Sequence, residues 1–284
     1  MGLYQAEISF IIVSRETFGS SLENNLEENM GIILTIANQK GGVAKTTTAV
    51  NLSAALALEG KKVLLVDLDP QGNATSGMGI QKKAGMHCIY DVIINEYPIE
   101  RAWLETEIDG LKILPATIQL AGAEVELVGM TNREKKLKDA LCQVKDRFDF
   151  ILIDCPPSLG LLTLNGLTAS DGALIPVQCE YYALEGLGQL LNTINLVRKH
   201  LNPGLKIFGA LLTMQDFRTN LSNQVADEVR SFFKDKVFEQ GISRNVRLSE
   251  APSYGLPIAI YDARSKGAEQ YKKLAQEVIA RVES

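Results

Sequence analysis

The sequence predicts an α/β fold in which one doubly wound, mostly parallel sheet is flanked by helices in a single domain. Three observations predict it. Short apolar runs of strand length alternate with longer segments of helical periodicity from residue 31 onward. Those short runs are continuously apolar, the pattern of parallel strands covered on both faces. The chain is 284 residues long, 46% apolar and carries only 9 prolines, enough to bury one large core. No internal repeat or low-complexity tract interrupts the pattern.

Residues 1–29 precede the alternation. An apolar run at 8–13 is followed by the polar stretch SRETFGSSLENNLEEN, and regular patterning begins at Met30-Gly31. The segment reads either as a flexible N-terminal extension or as the product of an upstream start codon used in place of Met30. The domain proper is expected over 30–284. Its first strand is expected over 32–37, a helix over 46–58 and a second strand over 63–67, which together make a βαβ unit. Gly60 stands where a helix C-cap glycine belongs, and Lys61-Lys62 lead into the second strand. Further strands are expected over 111–114, 150–153, 173–177 and 207–212. Helices are expected over 119–128, 132–147, 183–201, 220–233 and 268–282, filling the gaps as a doubly covered sheet requires.

The first strand runs into Asn38-Gln39-Lys40-Gly41-Gly42-Val43-Ala44-Lys45-Thr46-Thr47, where the helix opens. Strand, glycine loop and helix N-terminus form the context that cradles phosphate groups. Gly41 and Gly42 can turn successive amides inward, and the helix start adds free N–H groups and partial positive charge. A polyphosphate is the matching ligand. Lys45 is placed to bridge its β- and γ-phosphates, and the Thr46 hydroxyl to join the coordination shell of Mg²⁺. The common pattern GxxxxGK[ST] fails twice, because Gln39 and Ala44 occupy its two glycine positions. What fits is KGGxxK[ST], with a second lysine, Lys40, at the front. A Cβ at Ala44 calls for ordinary φ and ψ if the loop is to be unstrained.

Two acidic strand ends follow. Val63-Leu64-Leu65-Val66-Asp67-Leu68-Asp69-Pro70-Gln71-Gly72-Asn73 sets two carboxylates at the C-terminal end of the second strand, where ligands bind in open α/β sheets. Asp67 reads as a support of the loop or of the metal's water shell. Asp149-Phe150-Ile151-Leu152-Ile153-Asp154 is an apolar strand ending in an aspartate, followed by the stiff pair Pro156-Pro157. Asp154 is expected to hold Mg²⁺ through water.

The run NQKGGVAKTTTAVNLS resembles the ParA/MinD/Soj superfamily of deviant Walker A ATPases. The segments DPQGN, Leu211 to Asn220 and Ile242 to Pro252 resemble its ParA/Soj branch of DNA-partition proteins, chromosome type, over Met30 to the C-terminus. The resemblance implies an ATPase that uses ATP and Mg²⁺ with weak intrinsic turnover. It further implies that Lys40 crosses a dimer interface onto the partner's nucleotide and that Asp69 orients the attacking water. By the same resemblance Asn245 contacts adenine, although Ser243 stands where the family commonly has proline. Lys40, Gly41, Gly42, Val43, Ala44, Lys45, Thr46 and Thr47 then hold the nucleotide, with Lys40, Lys45 and Asp69 catalytic. Arg218 and Arg247 match arginines that bind double-stranded DNA without sequence preference, and Lys234, Lys236 and Arg244 extend that patch. Implied partners are a second copy of the chain on ATP binding, DNA, and a ParB-type protein with a basic N-terminal segment that stimulates hydrolysis.

Composition narrows the alternatives. The net charge of −5 restricts DNA contact to a local basic patch. Cys88, Cys142, Cys155 and Cys179 are far apart with no CxxC pair, and with only two histidines they suggest neither a zinc site nor a disulfide framework. No cysteine stands where an iron–sulfur reductase of this fold would need one. The run at 8–13 is far shorter than the roughly 20 residues of a membrane span, and residues 1–7 carry no basic residue of the kind that opens a signal peptide. A cytoplasmic, nucleoid-associated protein is expected. The alternative, a MinD-like membrane-cycling ATPase for division-site placement, needs a basic amphipathic tail; here residues 271–279 space their apolar positions for docking on the core.

Overall fold

The computed structural model describes residues 31–180, 185–216 and 218–284. The N-terminal extension expected over 1–29 lies outside the described residues, as do residues 183 and 184 of an expected helix. In chain order the elements are β1 Ile32–Ile36, α1 Lys45–Leu58, β2 Val63–Asp67, α2 Asn73–Gly77, α3 Ile89–Ile94, β3 Leu104–Glu105, β4 Leu111–Leu114, α4 Leu120–Val128 and α5 Lys136–Leu141. They continue with β5 Phe150–Asp154, α6 Leu161–Ala169, β6 Gly172–Gln178, α7 Glu185–His200, β7 Lys206–Thr213, α8 Asn220–Phe233, α9 Val246–Glu250, α10 Ile258–Tyr261 and α11 Lys266–Glu283. The strands form one sheet in the order β3-β4-β2-β5-β1-β6-β7. Every pairing is parallel except that of β3, a two-residue edge strand antiparallel to β4.

Side-chain alternation divides the core into two layers. Ile33, Leu64, Val66, Ile151, Ile153, Ala173, Ile175 and Val177 face one layer, with α4, α5, α6 and α7 above them. Leu34, Ile36, Val63, Leu65, Phe150, Leu152 and Leu174 face the other, under α1 and α11. Both faces of the central strands are thus buried, which is why their sequences read as unbroken apolar runs.

The expected βαβ unit forms as read, with Gly60 N–H bonding the Ala57 carbonyl just past α1 (2.9 Å). The helix expected over 132–147 does not form as one piece. Asn132 has φ +53°, outside the right-handed helical region, so α5 starts only at Lys136, and a separate 3₁₀ turn covers Lys145–Arg147. A helix absent from the expectation, α6, is buried on nearly every side, so its sequence shows no amphipathic contrast. The parallel order brings the C-terminal ends of β1, β5 and β2 side by side. In register, Asp154 of β5 lies between Ile36 of β1 and Asp67 of β2.

Candidate functional site

The loop after β1 is fixed at its root by Asn38. Its amide donates to the Pro176 carbonyl (2.7 Å), and its Oδ1 accepts the Lys40 N–H (3.0 Å). Gly42 takes φ +74°, a value that needs glycine. Across the loop, the Thr213 hydroxyl at the end of β7 donates to the Val43 carbonyl (3.1 Å). Among the described residues, the backbone amides from Gly41 to Thr47 have no acceptor; the first of α1 to find one, Thr48, bonds the Ala44 carbonyl at 2.9 Å. A Cβ built on Gly41 or Gly42 meets nothing within 4 Å. Free donors around open space at the head of a 14-residue helix are what an anion requires.

Ala44 departs from the expectation of ordinary backbone angles. It sits at φ +67°, ψ +33°, in the left-handed region, immediately before α1. The loop needs that turn whichever residue supplies it, and alanine supplies it at a steric cost of roughly 1–2 kcal/mol.

The two lysines of the loop have different surroundings. Lys45 is 6% exposed and its Nζ donates to the Lys40 carbonyl (3.0 Å). Burial lowers its pKa, and the charges of Asp154, Cys155 and Asp69 oppose that shift. Lys40 turns outward, its side chain 32% exposed and its Nζ 3.8 Å from Glu180 Oε2. Glu180 also receives Arg244 (3.3 Å) and the Gln178 amide (2.7 Å). Sequence reasoning passed over Glu180, although its place just past β6, at the ligand end of the sheet, is a usable signal.

Asp154 is fully buried, and neither carboxylate oxygen has a hydrogen-bond partner among the described residues. The Thr46 hydroxyl lies near enough to hold the Asp154 pKa down somewhat, without forming a hydrogen bond of good geometry. Burial pushes its pKa well above the usual carboxylate range, and the neighbouring Asp67 charge pushes in the same direction. A buried carboxylate without partners, next to a threonine hydroxyl and a lysine, fits a hard cation that takes oxygen ligands and arrives with phosphates. Among the described residues there is no cluster of three or more His, Cys, Asp or Glu that could hold a metal by itself. That composition suits Mg²⁺, which is commonly held by one or two carboxylates plus phosphate oxygens and water.

Asp67 is committed to the loop. Its Oδ2 accepts both the N–H and the hydroxyl of Thr75 (2.7 Å each), and its Oδ1 accepts the Asp69 N–H (3.2 Å). Burial raises its pKa to about 6 despite these donors. Asp69, 7% exposed, accepts the Gln71 N–H on Oδ1 (2.9 Å), which shapes the turn through Pro70.

The remaining candidates lie on the segment beyond β7. A bridge from Gln215 to Ser243 aligns that segment with the end of β7, which itself touches the phosphate loop through Thr213. Asn245 caps α9, its Oδ1 accepting the Arg247 N–H (2.9 Å), which leaves its amide nitrogen and the second lone pair of Oδ1 for a base. Ser243 donates its N–H and hydroxyl to Gln270 Oε1 (3.2 and 3.0 Å), bonds a proline would lack. Arg218 is exposed but held in a two-pronged pair with Asp216 (2.8 Å on each oxygen). That pair pushes the Asp216 pKa down to about 2. Arg247 pairs with Glu250 (2.9 Å) and Asp262 (3.5 Å). Neither arginine stands as a bare positive charge, so a DNA phosphate at either would have to displace an internal carboxylate.

Comparison with known proteins follows the same lines. A family model described as an AAA domain matches residues 31–207. The chain is 62% identical over 251 residues to the sporulation initiation inhibitor protein Soj of Bacillus subtilis, covering 88% of this chain and 99% of that one. It is 56% identical to the chromosome partitioning protein ParA of Myxococcus xanthus, covering 89% of each. Among solved structures, a Mycobacterium smegmatis protein described as cobyrinic acid a,c-diamide synthase, with ADP and magnesium bound, superposes with a TM-score of 0.79. It is 41% identical, over 90% of this chain and 96% of that one. The Pyrococcus furiosus cell division ATPase MinD superposes with a TM-score of 0.71 at 29% identity, over 88% of this chain and 99% of that one.

Proposed function

This chain belongs to the ParA/Soj family of chromosome-partitioning proteins, and from that premise we propose that it is a Mg²⁺-dependent ATPase that times a DNA-bound dimer. One observation carries the catalytic part. The buried Asp154, without a hydrogen-bond partner, lies near Lys45 and Thr46 and close to the free amides of the loop, a site whose unsatisfied groups suit a metal–polyphosphate ligand. Asp154 and the Thr46 hydroxyl would hold Mg²⁺, directly or through water, and the ion would neutralise charge developing on the phosphates. The protein's own residues do the rest. Amides 41–46 and Lys45 bind and orient the phosphates, and Asp69 orients the attacking water from the second acidic strand end. Asp67 and Thr75 keep the Asp69 turn in place. Asn245 has its amide nitrogen and a lone pair of Oδ1 to offer adenine.

The dimer is supported by Lys40, whose ammonium points out of its own loop while Lys45 points in. A site with one of its two cations directed outward is half a site, and the partner subunit's lysine completes it. Weak intrinsic turnover follows, because the single subunit lacks that charge. Arg218 and Arg247 then bind DNA phosphates in the dimer, each exchanging an internal carboxylate for a phosphate. A ParB-type protein with a basic N-terminal segment stimulates hydrolysis and releases the dimer from the nucleoid. Membrane cycling is disfavoured by α11, whose apolar face (Ala268, Tyr271, Leu274, Ala275, Val278) is spent on the core against α1. No helix among the described residues is long and apolar enough to cross a membrane.

The test is nucleotide binding followed by fluorescence of a labelled ATP. Lys45→Ala is expected to abolish it. Unimpaired binding by that variant overturns the site.

A further inference from the structure

The turn that carries Asp69 is gripped from an exposed loop. Between Asp69 and Gly72 the chain folds back, with the Gly72 N–H donating to the Asp69 carbonyl (2.8 Å). Within the turn Asp69 Oδ1 accepts the Gln71 N–H (2.9 Å), and Oδ2 receives no hydrogen bond from the described residues. The direction of the carboxylate therefore depends on where Gln71 sits. The carbonyl of that same residue accepts Lys82 Nζ (2.7 Å). Gln71 thus joins the two side chains, its N–H to the carboxylate and its C=O to the ammonium, and a shift that re-aims Asp69 stretches the bond to Lys82 as well.

The turn is shaped to receive this lysine. Gly72 has φ +63°, and a Cβ built on it would stand 2.6 Å from Lys82 Nζ and 2.8 Å from the Ala116 carbonyl oxygen. The ammonium and that carbonyl occupy the place a side chain would take. Lys82 makes no ion pair with a carboxylate among the described residues, so charge pairing does not account for its position. Ala116 in turn donates its N–H to the Thr75 hydroxyl (2.9 Å), which donates to Asp67 (2.7 Å). The turn is held from the core through Asp67 and Thr75, and from the surface through Lys82.

Lys82 lies between α2 and α3, on an exposed stretch outside helix and strand. A groove of about 300 Å³ opens beside it along Pro70 and Gln71. Water in that groove can satisfy the Gln71 carbonyl once the ammonium is removed, so the bond contributes little to global stability. Water does not fix where the carbonyl sits. Losing Lys82 therefore loosens Asp69 rather than the fold, and loosening a group that positions a reactant acts on turnover.

We propose that Lys82 is a positioning residue for ATP hydrolysis, holding Gln71 so that the free oxygen of Asp69 stays aimed at the attacking water. The inference rests on the reading that Asp69 orients that water. The test is steady-state ATP hydrolysis in Mg²⁺ by the full-length protein and by Lys82→Met, Lys82→Arg and Asp69→Ala, with a thermal melt of each. Lys82→Met is expected to lower kcat about tenfold while KM stays within about twofold and the melting temperature is unchanged. Lys82→Arg, whose guanidinium can donate to the same carbonyl, is expected to keep about half of kcat or more. If Asp69→Ala hydrolyses ATP at the unaltered rate, the reading of Asp69 fails and this proposal falls with it. If Asp69→Ala is inactive while Lys82→Met keeps its kcat, Lys82 does not position the turn and the reading of Asp69 stands. A Lys82→Met protein that melts lower, or whose KM rises in step with the loss of kcat, has lost structure rather than aim, which overturns the proposal. Equal losses in Lys82→Met and Lys82→Arg overturn it too, because the hydrogen bond is then not the cause.

Discussion

Ala44 holds a left-handed backbone conformation that glycine adopts without strain. Ala44→Gly is therefore expected to stabilise the protein by about 1 kcal/mol, offset in part by the greater freedom of an unfolded glycine. Differential scanning calorimetry should show a rise in melting temperature of up to roughly 2–4 °C. Thr75 is the opposite case. Its hydroxyl donates to Asp67 and accepts the Ala116 N–H (2.9 Å), all in the core. Thr75→Val keeps the shape but strips both bonds, and with buried groups costing about 1–3 kcal/mol each when unsatisfied, a loss of roughly 2–4 kcal/mol is expected in urea denaturation.

The two buried aspartates also set a pH dependence. Asp67 titrates near 6 when folded, and Asp154 is raised further in the same direction. Such groups hold protons more tightly folded than unfolded, so the stability they add is present below about pH 4 and is lost as pH rises through about 6 and beyond. The nucleotide-free protein is accordingly expected to melt at a lower temperature at about pH 7.5 than at about pH 5.5. Exposed carboxylates with depressed pKa values, such as Asp216, act only at lower pH and do not mask this trend.

Among the elements, those that carry the site were legible because their chemistry is local. The phosphate loop needs glycine, lysine and threonine at fixed spacing after a buried strand. Asp154 and Asp67 end runs apolar enough to be central strands. What escaped sequence reasoning depends on packing between distant parts. Helix α6 carries Gly166 against the Cys155 sulfur, where a Cβ would stand 2.9 Å from it, and is buried on nearly every side, so that no amphipathic contrast marks it. The break before α5 rests on one positive φ at Asn132, a residue compatible with several conformations. The pairing of Arg218 with Asp216 and of Arg247 with Glu250 likewise follows from side-chain geometry that the sequence does not display. At these loops, Arg218→Ala is expected to weaken binding to all DNA sequences alike. It should also reduce the slope of affinity against salt by about one charge, read by fluorescence anisotropy in ATP. Asp216→Asn removes the competing carboxylate and is expected to strengthen the same binding.

At the scale of the whole molecule, the sheet gathers Lys45, Asp67, Asp69 and Asp154 at the C-terminal ends of its strands, while the ammonium of Lys40 is paired with Glu180. Two subunits facing each other would supply what each lacks, and DNA binding through paired arginines would then depend on nucleotide. Lys40→Ala is expected to bind ATP yet remain monomeric. The most direct measurement is gel filtration with light scattering of Asp69→Ala, with and without ATP and Mg²⁺. With the carboxylate proposed to orient water removed and the phosphate loop intact, the variant should accumulate as a dimer in ATP and run as a monomer without it. A monomer in saturating ATP would contradict the nucleotide-timed dimer.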